Sequence, residues 1–266
     1  MRNFLESCDV LDWDSQTWRA YFFAELSALA YHDGTRVKKE VKKIGFKKYK
    51  FLENDGAQCH IIENPTNFII AFRGTEPTQF SDVKADLLAF KRKSKTEGKV
   101  HMGFKIELRK LWSDISGILE KKKQQQIWIT GHSLGGAMAT ICASRLRGEP
   151  KGNIKALYTY GSPKVGGKKF VWNLDVIELE HHRFVNNNDI VTKVPLALMM
   201  YKHCGDLCYI NYHGNIRKMT TWQRIKDQFR GIMRAWQKGE PFDGARDHSI
   251  SAYEKKLENV CLQSKD

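Results

Sequence analysis

No run of about eighteen consecutive apolar residues occurs in the 266-residue chain, which excludes a segment readable as a membrane-spanning helix. An apolar h-region is missing from the opening stretch, MRNFLESCDVLDWD, which carries Glu6 and Asp9 early. A secretory signal is not expected there, so the chain is expected to be cytoplasmic as made, with signal-independent export left open. Internal repeats, low-complexity linkers and composition breaks are also missing, and residues 1–266 are expected to form one domain.

Cysteine is sparse. Cys8, Cys59, Cys142, Cys204, Cys208 and Cys261 lie scattered and, without a secretion signal, are expected as free thiols. Cys204-x-x-x-Cys208, with His203 and His213 nearby, has zinc-ligand residue types at an uncommon spacing in a stretch that alternates like a strand, and no metal is expected. Zinc-finger, RNP and basic-zipper patterns are absent too, which matters because the net charge is +14. The lysines come in pairs and short runs, such as Lys38-Lys39, Lys42-Lys43 and Lys121 to Lys123. No specific nucleic-acid partner is therefore expected. Scattered lysine suits a solvated surface, and its functional version is peripheral attraction to an anionic membrane. The oligomeric state is left open.

What is present is an alternation of strand and helix patterns. A helix is expected over Ser15 to Tyr31, strands over Lys47 to Asn54, Ala57 to Glu63 and Asn67 to Phe72, and a helix over Phe104 to Glu120. Further strands are expected at Ile127 to Thr130, Ala156 to Tyr160, Arg183 to Val185 and, at an edge, Cys208 to Tyr212. Helices follow at Thr220 to Gln237 and Ser249 to Val260. Such alternation predicts an α/β fold with a central, mostly parallel sheet and helices on its faces.

The most informative stretch is ITGHSLGGAMAT, Ile129 to Thr140, in which Gly131-His132-Ser133-Leu134-Gly135 reads G-x-S-x-G between a strand and a helix. A serine at that corner matches a nucleophile elbow, where flanking glycines let two backbones pass closely. The plain alternative is a glycine-rich turn with a solvent-facing serine. A serine hydroxyl needs a base to take its proton and a carboxylate to orient that base. In this fold type both follow the serine in the chain, acid before base. Downstream carboxylates include Asp175, Glu178, Glu180, Asp189, Asp206, Asp227, Glu240, Asp243 and Asp247. Asp189 is best placed, since RFVNNNDIVTKVP reads as strand, polar turn, then Asp. The bases on offer are His181, His182, His203, His213 and His248, of which His248 opens the final helix and follows the acid. An oxyanion hole takes two donors, for which the N–H of Leu134 and, in FRGTE, that of Thr75 are the candidates.

AFRGTE, VHMGF with its following helix, ITGHSLGGAMA, and the string from YTYGSPKVGG through RFVNNNDIVTKVP to DHSISAY together resemble the class 3 lipases, the fungal-lipase-like branch of the α/β-hydrolases. Order and spacing match from about Phe22 to the last helix. The resemblance implies Ser133, Asp189 and His248 as a triad, Thr75 and Leu134 as oxyanion donors, and turn-shaping roles for Gly161, Pro163 and Gly166. It implies a serine carboxylic ester hydrolase of the lipase or phospholipase type, acting on lipid-like esters without a cofactor. A short-chain or feruloyl-type esterase and a catalytically silent lipid-binding protein are the alternatives. The family's lid corresponds here to Glu76 to Ala85, where only Phe80 and Val83 are large and apolar, so a bulk triacylglycerol lipase is not expected. Two other segments could touch lipid. One is PLALMMY, Pro195 to Tyr201. The other is the basic helix Thr220 to Gln237, expected as an ordinary core-facing amphipathic helix, with an interfacial helix as the sharper alternative.

Overall fold

The computed structural model describes residues 15–75, 91–96, 98–120, 125–147, 153–176, 179–237 and 243–264. A seven-stranded sheet runs in the order β1 (Lys48–Asn54), β2 (Ala57–Glu63), β3 (Asn67–Phe72), β6 (Gln126–His132), β7 (Ile154–Tyr160), β8 (Glu180–Asn186), β9 (Asp206–Ile210). The first two pairings are antiparallel and the remaining four parallel. A small hairpin, β4 (Lys91–Lys93) with β5 (Lys99–His101), stands apart. The expected mostly parallel sheet is thus present, as is the edge strand, which lies two residues earlier than its pattern suggests.

Local chemistry explains several boundaries. Asn54 pairs with Ala57 across Asp55 and Gly56, both at positive φ, as a two-residue hairpin turn of the twist-matching type requires. β3 is buried on both faces, which is why NFIIAF shows no polar alternation. Its successive side chains serve different cores: Phe68, Ile70 and Phe72 join one, Ile69 the other. The first core lies beneath α3 (Met102–Leu119), α4 (Leu134–Arg147) and α5 (Lys168–Asp175). The second holds residues of α1 (Gln16–Leu29), α2 (Gly34–Lys43) and α8 (Ile250–Gln263), with Phe23 stacked on Trp128 and Tyr158 at 5.4 and 4.6 Å. Ser15 caps α1 by accepting the N–H of Trp18, and Asp33 caps α2 by accepting those of Thr35 and Arg36.

Helix α6 (Thr221–Gln237) corrects an expectation. Its large apolar residues face solvent, and the buried ones are Asp227, Gly231 and Ala235. It is therefore not a core-facing amphipathic helix. The span Glu76 to Ala85 lies outside the described residues.

Candidate active site

β6 ends at His132, Ser133 makes the corner at φ +57°, and Leu134 starts α4. Left-handed backbone at a non-glycine residue is strained, and the neighbours hold it there. Ser133 N–H donates to the carbonyl of Tyr160 at 3.0 Å, and the Ser133 carbonyl accepts from Ala137 N–H at 3.2 Å. A β-carbon on Gly131 would overlap the backbone of Gly135, and one on Gly135 would overlap that of Phe72, so both glycines are demanded by close approach. Ser133 is only 2% exposed, which disposes of the solvent-facing turn.

The strand ends bring the distant parts together. Asp189 follows β8 after the turn Asn187-Asn188, and His248 ends α7 (Asp243–His248) just before α8. His248 Nε2 lies 2.9 Å from Ser133 Oγ, and His248 Nδ1 lies 3.0 Å from both carboxylate oxygens of Asp189. A carboxylate only accepts, so Nδ1 carries the hydrogen and Nε2 is left to accept from the serine hydroxyl. Asp189 is completely buried and also accepts from Tyr253 O–H at 2.6 Å and Val191 N–H at 2.9 Å. Three donors compensate the buried charge. Burial, and then the charge of Asp189, push the Tyr253 phenol well above its usual range, so it remains a donor.

Further residues hold this line in place. His132 Nε2–H donates to the His248 carbonyl at 2.6 Å, and its Nδ1 accepts from Tyr31 O–H at 2.8 Å. Burial, followed by the neighbouring His248 ring, pushes His132 well below the usual imidazole range and keeps it neutral, in keeping with one donor and one acceptor nitrogen. Gly161, at φ +57°, has no side chain because a β-carbon would stand 2.7 Å from Asp189 Oδ2 and 2.9 Å from His248 Nδ1. Asn186 Nδ2–H donates to the Asp247 carbonyl at 2.9 Å, and Asn188 N–H donates to Asp247 Oδ2 at 3.1 Å. Asp247 thereby ties the histidine segment to the acid loop and does not orient the ring.

Thr75 and Leu134 lie at the same end of the sheet as Ser133. The pairing of Phe72 with Gly131 sets β3 and β6 in step, and a β-carbon on Gly74 would come 2.6 Å from the His132 carbonyl. Leu134 opens α4, so its N–H is among the first four that a helix leaves without an internal acceptor. His181, His182, His203 and His213 belong elsewhere; His203 Nε2–H, for one, donates to the Thr192 carbonyl at 2.7 Å.

The cysteine-rich stretch does not assemble as its spacing suggests. Cys59, Cys142, Cys204 and Cys208 carry free thiols, whereas Cys8 lies outside the described residues. Among the described residues one group, Asp175, His181 and Cys204, brings three metal-ligand atoms within 4.8 Å of one another. Burial pushes the Cys204 thiol up to about 12 and the His181 ring down to about 3, and Asp175 Oδ1 accepts the Gly205 N–H at 2.8 Å.

The family model described as lipase (class 3) matches residues 69–199, a span that includes Thr75, Ser133, Leu134 and Asp189 but not His248. Toxin TseL of Vibrio cholerae is 30% identical over 190 residues, covering 56% of this chain and 29% of that protein. A lipase of Rhizomucor miehei is 31% identical over 159 residues, covering 56% of this chain and 42% of that one. A secreted mono- and diacylglycerol lipase of Malassezia globosa is 31% identical over 122 residues, covering 44% and 40%. The chain thus spans less than half the length of each of these relatives. Among solved structures, the lipase of Rhizopus microsporus var. chinensis superposes with a TM-score of 0.62 at 25% identity, covering 73% of this chain and 74% of that one. A triacylglycerol lipase whose catalytic centre is a serine protease triad superposes at 0.63 and 25%, covering 72% and 79%.

These relatives overturn the cytoplasmic expectation. The matched mono- and diacylglycerol lipases of Malassezia globosa, Penicillium cyclopium and Fusarium solani are secreted proteins. A missing apolar run in one opening stretch does not set the compartment, because address segments are separate from the fold they deliver. The chain thus carries a class 3 lipase region over residues 69–199 and shares its architecture with these lipases.

Proposed function

We propose that the protein is a serine carboxylic ester hydrolase acting on lipid-like esters, with Ser133 as nucleophile, His248 as general base and acid, and Asp189 as the residue that orients and stabilises His248. The observation that carries this reading is the continuous hydrogen-bonded line from Ser133 Oγ through His248 to Asp189, with separations of 2.9 and 3.0 Å. Ser133 Oγ attacks the ester carbonyl carbon as its proton passes to His248 Nε2. The tetrahedral oxyanion is held by the N–H groups of Leu134 and Thr75. Collapse breaks the bond to the leaving alcohol, which takes the proton from His248, and leaves an acyl-enzyme on Ser133. Water, deprotonated by His248, then attacks the acyl carbon, and the acyl–Oγ bond breaks as Ser133 Oγ takes that proton back from His248, releasing the acid. The scheme calls on no metal or organic cofactor.

The names of the matched relatives support lipid esters as the substrate class, mono- and diacylglycerols among them. The net charge of +14 favours meeting such an ester on a surface that carries anionic lipid. A silent lipid-binding scaffold would not require a fully buried carboxylate held 3.0 Å from a histidine that faces a buried serine.

The test is an ester panel, p-nitrophenyl chains of increasing length beside monoacylglycerols and phospholipids, run on the wild type and Ser133→Ala. Turnover by the wild type alone, rising from short to longer acyl chains, is expected. Equal turnover by both proteins would remove Ser133 from the chemistry, and a preference for the shortest chains would replace the lipid ester with a small one.

A further inference from the structure

Helix α6 lays its apolar side outward. Trp222, Ile225, Phe229, Ile232, Met233 and Trp236 recur at three-, four- and seven-residue spacings and so share one side of the helix. Trp222, Phe229 and Trp236 stay 65%, 63% and 69% exposed. The inward side is specified just as firmly. Asp227 Oδ2 accepts from Tyr209 O–H at 2.9 Å and from Tyr212 N–H at 3.1 Å. Gly231 packs on the acid loop so closely that a β-carbon would stand 2.7 Å from Asn187 Nδ2 and 2.9 Å from Asn188 Nδ2. Asn188 Nδ2–H donates to the Gln228 carbonyl at 3.0 Å, and Gln228 Nε2–H donates to the Asn187 carbonyl at 3.2 Å. The outward orientation is thus fixed by the helix's other face, and the exposed rings are not a helix turned the wrong way.

We propose that α6 docks the protein on an anionic lipid surface. In this arrangement the rings of Trp222, Phe229 and Trp236 enter the boundary between headgroups and acyl chains, and Lys226 and Arg230 meet headgroup anions. Charge complementarity argues for this occupant. Going round the helix at 3.6 residues per turn, Lys226 borders the apolar stripe, Arg230 follows it, and Arg234 turns toward the inward side, where its guanidinium stands 5.9 Å from the centre of the Tyr212 ring. Lys226 Nζ also stands 5.5 Å from the centre of the Trp222 ring. An apolar stripe with tryptophan near both ends and cations along its side is the composition that lies flat in a membrane interface. The same helix rests on Asn187 and Asn188, the two residues before Asp189, so docking would hold the acid loop at a set orientation to the lipid. On the other side of Asp189 in the chain, Leu196, Leu198 and Met200 are exposed as well, Leu198 by 92%.

The proposal takes its purpose from the lipid-ester reading above, but its test does not depend on that reading. Ser133→Ala protein is co-sedimented with phosphatidylcholine vesicles with and without phosphatidylglycerol. Binding is expected only when phosphatidylglycerol is present, and to weaken at least about ten-fold between roughly 0.1 and 0.5 M salt. Lys226→Glu with Arg230→Glu should weaken it by about ten-fold or more. Replacing Trp222, Phe229 and Trp236 together by Ser should abolish it, with the melting temperature and the turnover of a soluble ester by the corresponding active protein unchanged. Equal binding to both vesicle types, or retention by the triple variant, overturns the proposal. A lipid-free dimer that the triple variant dissolves while vesicle binding persists would assign the face to a second copy of the chain. Vesicle binding without any ester turnover would leave docking intact and remove the proposed activity.

Discussion

Helices α4 and α6 carry similar numbers of apolar residues and treat them in opposite ways. Every residue of α4 from Gly135 to Leu146 is buried, because the helix leaves the serine corner between β3 and β7 and is roofed by α3. Helix α6 buries an aspartate, a glycine and an alanine and leaves its tryptophans in solvent. What separates them is the surface offered underneath. α4 meets apolar strands, whereas α6 meets the polar turn Asn187-Asn188 and the hydroxyl of Tyr209, which accept only a small residue and a hydrogen-bonded acid. Apolar periodicity says that residues share a side; what lies below decides which side is inward.

That contrast should appear as opposite responses to substitution. The largest effect is expected at the buried site. Asp189→Asn, which leaves His248 in the wrong tautomer, should lower kcat about 10³- to 10⁴-fold with little change in melting temperature. Asp247→Asn should cost far less, because that carboxylate ties loops together; steady-state kinetics on a soluble ester would separate the two, and equal losses would mean the acid is misassigned. Next, Gly135→Ala should destabilise by about 1–3 kcal/mol in urea unfolding, since its methyl meets the Phe72 carbonyl with no free space.

Acid should follow. Burial pushes His60 down to about 4 and His181 and His203 down to about 3. These rings are neutral when folded and take a proton near pH 6.5 when unfolded. The unfolded chain therefore binds more protons as pH falls below about 6.5, and stability present above that pH is lost on acidification. Each ring contributes up to about 1.4 kcal/mol per pH unit in that window, measurable as a falling urea midpoint between about pH 7 and 5. A midpoint constant over that range would contradict the neutral burial of these histidines. The smallest effect is expected on the outer face of α6, where Trp222→Ser should shift stability by no more than about 0.5 kcal/mol. A loss of several kcal/mol there would make the ring part of a packed core.

Much of the site was legible because its chemistry sits in short local strings. GHSLG marks a corner, NNNDIV a turn after a strand, and DHS a helix entrance, and each can be read without knowing the others. Tyr31, His132 and Tyr253 were not legible as parts of the site, because they reach it only when α1, β6 and α8 pack together. Gly161 was assigned a turn-shaping role, whereas its stronger constraint is the Asp189–His248 pair pressed against its α-carbon. Helix α2 escaped detection because Val37 and Val41 alone make its buried stripe among lysines. The β4–β5 hairpin, three residues a side, is too short for alternation to register.

Activation of Ser133 as a nucleophile should require the folded protein, because His248 and Asp189 reach it only through the fold. The most direct test is intact-mass measurement after treatment with a fluorophosphonate, on native protein, on Ser133→Ala and on urea-unfolded protein. One adduct per native chain, mapped to Ser133, is expected, and none on the variant or the unfolded chain. A native protein that stays unlabelled, or that carries its adduct on another residue, would contradict that activation.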